Sequence, residues 1–164
     1  MQRWRGQDEI PTDWGRCVLT IGVFDGVHRG HAELIAHAVK AGRARNVPTV
    51  LMTFDPHPME VVYPGSHPAQ LTTLTRRAEL VEELGIDVFL VMPFTTDFMK
   101  LTPDRYVHEL LVENLHVVEV VVGRTSPSAR RRPAMWRRCG GPASGSGSPW
   151  RRCRCCPSTT ATRP

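Results

Sequence analysis

The sequence is short of several things, and each shortage excludes a class of protein. Of its five cysteines only Cys17 lies in the first 123 residues. That leaves no disulfide framework there and points away from an oxidising compartment. No stretch approaches the ~18 apolar residues of a membrane span. The first 16 residues are polar, with no apolar leader core. The expected location is the cytoplasm, without a membrane partner. Beyond Gly123 the shortages sharpen: no Leu, Ile, Val or Phe, no Lys, no acid. Such a segment cannot bury enough apolar surface to offset the entropy of ordering it. Residues 124–164 are therefore expected to be disordered, and residues 1–123 to be the folded domain.

Charge divides at the same place. Residues 1–123 hold 11 Lys and Arg against 16 Asp and Glu, a net −5, whereas residues 124–164 hold 10 Arg, a net +10. The overall +5 belongs to the tail alone. Arginine-rich arms can contact phosphates, but no nucleic-acid module accompanies this one, and no nucleic-acid partner is expected. Cys139, Cys153, Cys155 and Cys156 do not make a zinc set, because the tail has no His and Cys-x-Cys-Cys is not a usual ligand pair.

What is present alternates between strand and helix signals. Apolar, β-branched runs at 17–23, 50–54, 88–92 and 117–122 read as buried strands. Residues 31–43 have helical spacing, with Leu34, Ile35, Ala38 and Val39 on one face. A second helix is expected from Arg76 to Leu84, capped by Thr75 and ended by Gly85, with residues 59–74 irregular. A third starts at Thr102-Pro-Asp104 and runs to about Asn114. Asp55-Pro-His-Pro58 must be a loop. This alternation gives an α/β fold with a mostly parallel sheet.

The densest chemistry follows the first run: Gly22-Val-Phe-Asp-Gly-Val-His-Arg-Gly-His31. A strand leads through a glycine-bearing turn into a helix start. Ligands in open parallel sheets bind at strand carboxyl ends, and a helix N-terminus suits phosphate. Gly30 permits close backbone approach. His28 and His31, three apart, can both face one phosphate chain and donate to developing negative charge. Neither Gly-x-x-x-x-Gly-Lys nor Gly-x-Gly-x-x-Gly occurs. Asp25 is open to two readings, a loop or metal contact and a turn-forming one. His37, His67, Arg76 and Arg77 read as surface, His108 and His116 as part of the last helix and its exit, and Cys17 as core.

This decapeptide resembles the His-x-Gly-His signature of the nucleotidyl-transferase superfamily, and in its longer form the prokaryotic FAD synthetases. Thr53-Phe-Asp-Pro-His-Pro58 is similar to that family's next motif. The resemblance implies a Rossmann-like nucleotidyl-transferase domain over residues 1–123. It implies FMN adenylyltransferase chemistry, in which ATP and FMN give FAD and pyrophosphate with Mg2+ present. On it, His28 and His31 are catalytic. Gly22, Phe24, Asp25, Gly26, His28, Gly30 and His31 bind ATP. Phe54, Asp55, Pro56, His57 and Pro58 line the flavin, and no residue is assigned to a metal. The alternatives are another transferase of the superfamily with a different acceptor, and a non-catalytic nucleotide- or flavin-binding remnant.

The resemblance stops at Gly123. There the family has Gly-x-Asn-Phe-x-Phe-Gly, later a Ser-Ser-Thr-x-x-Arg-like motif, and then a riboflavin kinase domain. This sequence has Gly123-Arg-Thr-Ser-Pro-Ser-Ala129, and neither later feature. A family-like peptide, Glu-Asn-Phe-Thr-Phe-Gly-Lys-Lys-Ala-Ala-Gly-Asn-Val, can be encoded so that dropping its first base yields residues 124–136 as they stand. The tail is therefore expected to be an out-of-frame product. The sheet is expected to be incomplete at its C-terminal end, with a bare hydrophobic edge able to self-associate.

Overall fold

The computed structural model describes residues 1–65, 69–100, 102, 105–123 and 150–153. One sheet holds β1 (Gln2–Arg5), β2 (Cys17–Ile21), β3 (Thr49–Asp55), β4 (Val88–Pro93), β5 (Val117–Gly123) and β6 (Trp150–Cys153). Their order is β1-β4-β3-β2-β5-β6. The first five strands are mutually parallel, and β6 runs antiparallel to β5. The central strands are continuous apolar runs because both faces are covered.

The helices are α1 (Arg29–Arg45), α2 (Pro58–Val62), α3 (Leu74–Glu83) and α4 (Thr96–Lys100), followed by a π-helical segment, Tyr106–Asn114. On one face Ile35 and Ala38 of α1 and Ala78 and Val81 of α3 pack on Val18, Leu51, Phe89 and Val121. On the other, Leu110, Leu111 and Leu115 pack on Leu19, Val50, Leu90 and Val120. At the far end of α1, Arg45 pairs with the buried carboxylate of Glu119 on β5. Gly42 is required there: a Cβ would lie 2.4 Å from Thr49 Oγ1 and 2.9 Å from the Val47 carbonyl.

From β2 the chain builds outward through β3 and β4, then returns across the sheet to place β5 on the other side of β2. β2 therefore lies with β3 on one side and β5 on the other. The carboxyl ends of β2 and β5 form the crevice where open α/β sheets bind ligands, and residues 22–31 sit at that point.

Several expectations need correction. β2 stops at Ile21 rather than Val23 because the chain turns left-handed at Phe24 (φ 53). α3 begins at Leu74, capped by the Thr73 hydroxyl, which accepts the Arg76 N–H at 3.2 Å; Thr75 is not the cap. Gly85 (φ 89) does follow the helix as its stop. The stretch after Pro58 is not wholly irregular, since α2 forms with the His57 side chain accepting the Met59 N–H at 3.0 Å. The edge strand β1 was not expected, because only Trp4 of its four residues is buried. Residues 150–153 depart from the expected disorder and lie along the β5 edge that was expected to be bare. The rest of the tail, and His67, lie outside the described residues.

Candidate nucleotide site

The turn after β2 is held in an unusual backbone path. Phe24, Gly26 (φ 69) and Val27 (φ 37) all have positive φ. Phe24 turns its ring inward, 1% exposed, against the core beside α1. Its centroid is 5.2 Å from that of His31. Phe24 thus supports the turn from beneath and does not offer its ring to a ligand. Gly22 lies over that ring, where a Cβ would meet Phe24 Cε2 at 3.1 Å.

Asp25 makes contacts within the fold. Its carboxylate accepts the Leu71 N–H (2.8 Å), the Thr72 N–H (3.0 Å) and the Thr72 hydroxyl (2.9 Å). Arg77 Nη2 donates to it at 3.3 Å. Burial alone would raise this carboxyl, but those hydrogen bonds and the guanidinium hold it below the usual range. Arg77 is the clearest correction: expected on a solvated face, it is 1% exposed. It falls at i+3 from Leu74 and i−4 from Val81, which is inner-face spacing, and that was the legible signal. Arg76 does lie outside, paired with Glu79.

His28 caps α1, and its Nδ1 accepts the His31 N–H at 3.3 Å. An accepting Nδ1 puts the proton of the neutral ring on Nε2, so His28 keeps a donor for a ligand. The two imidazoles are stacked, with centroids 3.7 Å apart and planes 16° apart. His31 Nδ1 is buried with no hydrogen-bond partner among the described residues. Burial, then the charges of His28 and Arg77, push His31 down to about 4. Gly30 lies against His28, where a Cβ would meet Cε1 at 3.2 Å. The N–H groups of Arg29 and Gly30, at the first two helical positions, have no carbonyl four residues back inside the helix. Two imidazoles and a helix start thus converge on one spot suited to an anion.

A pH consequence follows. A histidine whose folded value lies below its ordinary 6.5 is protonated first in the unfolded chain. The chain should therefore lose stability as pH falls from about 6.5 to about 4. Asp25, held below its ordinary 3.8, contributes a separate loss only below that value. Denaturant melts of His31→Gln should show the first slope flattened and the second kept.

Phe54 and Asp55 end β3, the parallel neighbour of β2, and Pro56, His57 and Pro58 follow at the same carboxyl end of the strands. Thr53 Oγ1 donates to the Val23 carbonyl at 2.9 Å and joins the two segments. Asp55 accepts from Arg5 Nη2 at 3.0 Å. The Phe54 ring meets Phe94 (5.6 Å) and Phe98 (6.0 Å), which meet each other at 5.5 Å. Phe94 and Phe98 were missed from sequence, although their four-residue spacing was visible. Near them in sequence, Met59, Val62, Tyr63 and Met99 are exposed. Among the described residues, His37, His108 and His116 stay apart from this site. His37 contacts the Glu33 carbonyl (2.8 Å), His108 pairs with Glu113 (3.1 Å), and His116 is exposed. Cys17 is buried, its thiol pushed up to about 12.

A doubly wound parallel sheet, with a His-x-x-His turn entering a helix at its switch point, defines a Rossmann-like nucleotidyl-transferase domain. The family model described as FAD synthetase matches residues 10–133, and the chain belongs to that family. It is 42% identical over 107 residues to the bifunctional riboflavin kinase/FMN adenylyltransferase of Escherichia coli strain K12, covering 65% of this chain and 34% of the relative. The Listeria monocytogenes protein of the same description is 40% identical with the same coverage. That of Buchnera aphidicola subsp. Schizaphis graminum is 31% identical over 123 residues, 75% of this chain and 39% of the relative. The chain thus spans about a third of the length of the first of these relatives. A crystal structure described as a macrolide-efflux protein from Streptococcus pneumoniae superposes with a TM-score of 0.64 at 27% identity, covering 74% of this chain and 41% of that one. Among the described residues no helix is long and apolar enough to cross a membrane.

Proposed function

We propose that this chain is the FMN adenylyltransferase part of a FAD synthetase, acting on ATP and FMN in the cytoplasm. The observation that carries the reading is the stacked His28–His31 pair at the start of α1, whose buried His31 Nδ1 has no partner among the described residues, beside the aromatic end of β3. In the reaction an FMN phosphate oxygen attacks the α-phosphorus of ATP in line. The new O–P bond forms as the bond from the α-phosphorus to the bridging oxygen breaks, and pyrophosphate leaves with that electron pair. His28 Nε2–H and the first-turn N–H groups hold the triphosphate and stabilise charge on the leaving group. His31, neutral at pH 7, can donate from a ring nitrogen without a charge of its own. Gly22, Gly26 and Gly30 keep the backbone close, while Phe24 and Asp25 act by holding the turn. Phe54, Pro56 and Pro58, with Phe94 and Phe98, form an apolar platform for the flavin ring. Asp55 and His57 complete that loop.

Magnesium enters with ATP as substrate. Among the described residues no cluster of three His, Cys, Asp or Glu is placed to hold a metal, and Asp25 is already engaged. No step is assigned to a metal held by the protein.

Purified chain should convert FMN and MgATP to FAD and pyrophosphate. Phosphopantetheine and nicotinamide mononucleotide should not be adenylylated. A preference for either would replace the flavin reading by another transferase of the superfamily. Tight nucleotide binding without turnover would reduce the chain to a binding remnant.

A further inference from the structure

Arg77 is a buried cation at the back of the turn, and the chemistry above leaves it unused. Its Nη2 donates to Asp25 Oδ1 (3.3 Å) and to the Thr72 carbonyl (3.2 Å), and its Nη1 to Thr53 Oγ1 (3.4 Å). The Thr53 hydroxyl in turn donates to the Val23 carbonyl (2.9 Å). Thr72 accepts the Gly26 N–H at 3.1 Å while donating to Asp25. One guanidinium thus ties together the end of β3, the turn after β2 and the 71–72 segment.

A charge at this depth is a poor device for stability. Desolvating a guanidinium is costly, and a well-packed apolar side chain often does as well or better. Ala78 and Val81 on the same face show that this surface accepts apolar residues. A planar fork offers something else: several donors in fixed geometry, hence fixed spacing between the groups it joins. Those groups belong to the two halves of the site. The turn carries His28 and His31, and Thr53 begins the motif that runs to Pro58. The charge of Arg77 is also felt at His31, and that of Asp55 at Arg77, one partner in each half.

We propose that Arg77 is a positioning residue that, through Asp25, Thr72 and Thr53, fixes the histidine turn against the end of β3 and so sets the spacing between the nucleotide and flavin halves of the site. Its effect on turnover rests on the adenylyl-transfer reading, whereas the clamp itself rests on the network alone.

The test uses the full chain as Arg77→Met, which keeps bulk and removes the charge, and Arg77→Lys, which keeps the charge and loses the fork. Amide hydrogen exchange is followed at Leu71 and Thr72, whose N–H groups bond Asp25, and at Leu51 and Leu90 in the core. Arg77→Met should speed exchange at 71 and 72 by about tenfold while the core amides stay protected. With it, kcat for FAD formation should fall by about tenfold with KM for FMN nearly unchanged, as expected when preorganisation and not binding is lost. Arg77→Lys should recover part of both. Unchanged exchange at 71 and 72 overturns the clamp. Faster exchange everywhere makes Arg77 a general stability element and also overturns it. Local loosening with kcat intact overturns the positioning role. If the unmodified chain makes no FAD, the exchange arm still decides the clamp, and the failure belongs to the reaction assigned above.

Discussion

His31→Ala is expected to lower the rate of FAD formation by roughly a hundredfold or more, the scale on which one preorganised donor to developing charge matters. The ring sits at the first turn of α1, stacked on His28, with one buried nitrogen unpaired. Among the described residues its Nδ1 has no hydrogen bond to explain that placement. His28→Ala should cost a similar factor but for two reasons, since it removes a donor and also the cap of α1. His28→Asn separates them: an Asn side chain can accept the His31 N–H as a cap yet cannot reproduce the Nε2–H donor. It should melt like the parent and remain slow. The double alanine variant should be little slower than either single one, because the pair acts on one phosphate chain. Steady-state kinetics with FMN and MgATP at pH 7 give all four values. Full activity in His31→Ala would remove the histidines from the chemistry.

Phe24→Ala is expected to destabilise the fold by about 3 kcal/mol, the usual scale for removing a fully buried ring. The ring is 1% exposed and contacts His31 and Gly22, so its loss should also leave His31 less well held and slow the reaction. The backbone gives a finer test. At φ 53 any L-residue carries strain, of order 1 kcal/mol, that glycine escapes. Phe24→Gly should therefore be at least as stable as Phe24→Ala, although it removes more atoms. Urea midpoints of the two variants decide it. A loss under about 1 kcal/mol in Phe24→Ala would mean that the turn is not anchored through this ring.

The sequence made the sheet legible because its strands are apolar on both faces and its glycines and prolines punctuate them. β2 through β5 were found within two residues of their observed ends. The edge strand β1 was not, since Gln2-Arg-Trp-Arg5 buries one side chain and makes no run. The histidine turn was legible as a motif, but the work of each residue in it was not. Phe24 read as a ligand contact and is a core anchor. Asp25 was open between two readings, and its three contacts in the 71–72 segment are ones that no local pattern announces. Arg77 was misread because charge was weighed above its place on the helical wheel. Phe94 and Phe98 were passed over because they lie beyond β4, and only the fold brings them to Phe54. At β6, composition gave no hint of pairing along β5. The family model reaches residue 133, while the wording of the motif changes after Gly123. Reading the gene in all three frames from the codon of Val117 distinguishes an out-of-frame tail from a genuine one.

The central claim is adenylyl transfer to FMN, and labelled ATP tests it most directly. The purified chain would be incubated with FMN and ATP carrying its label on the α-phosphorus, then in parallel with ATP labelled on the γ-phosphorus. Transfer of the adenylyl group predicts α-label in FAD, matched mole for mole by pyrophosphate that holds the γ-label, with both lost in His31→Ala. Flavin that takes up no α-label while the folded chain binds ATP would contradict it.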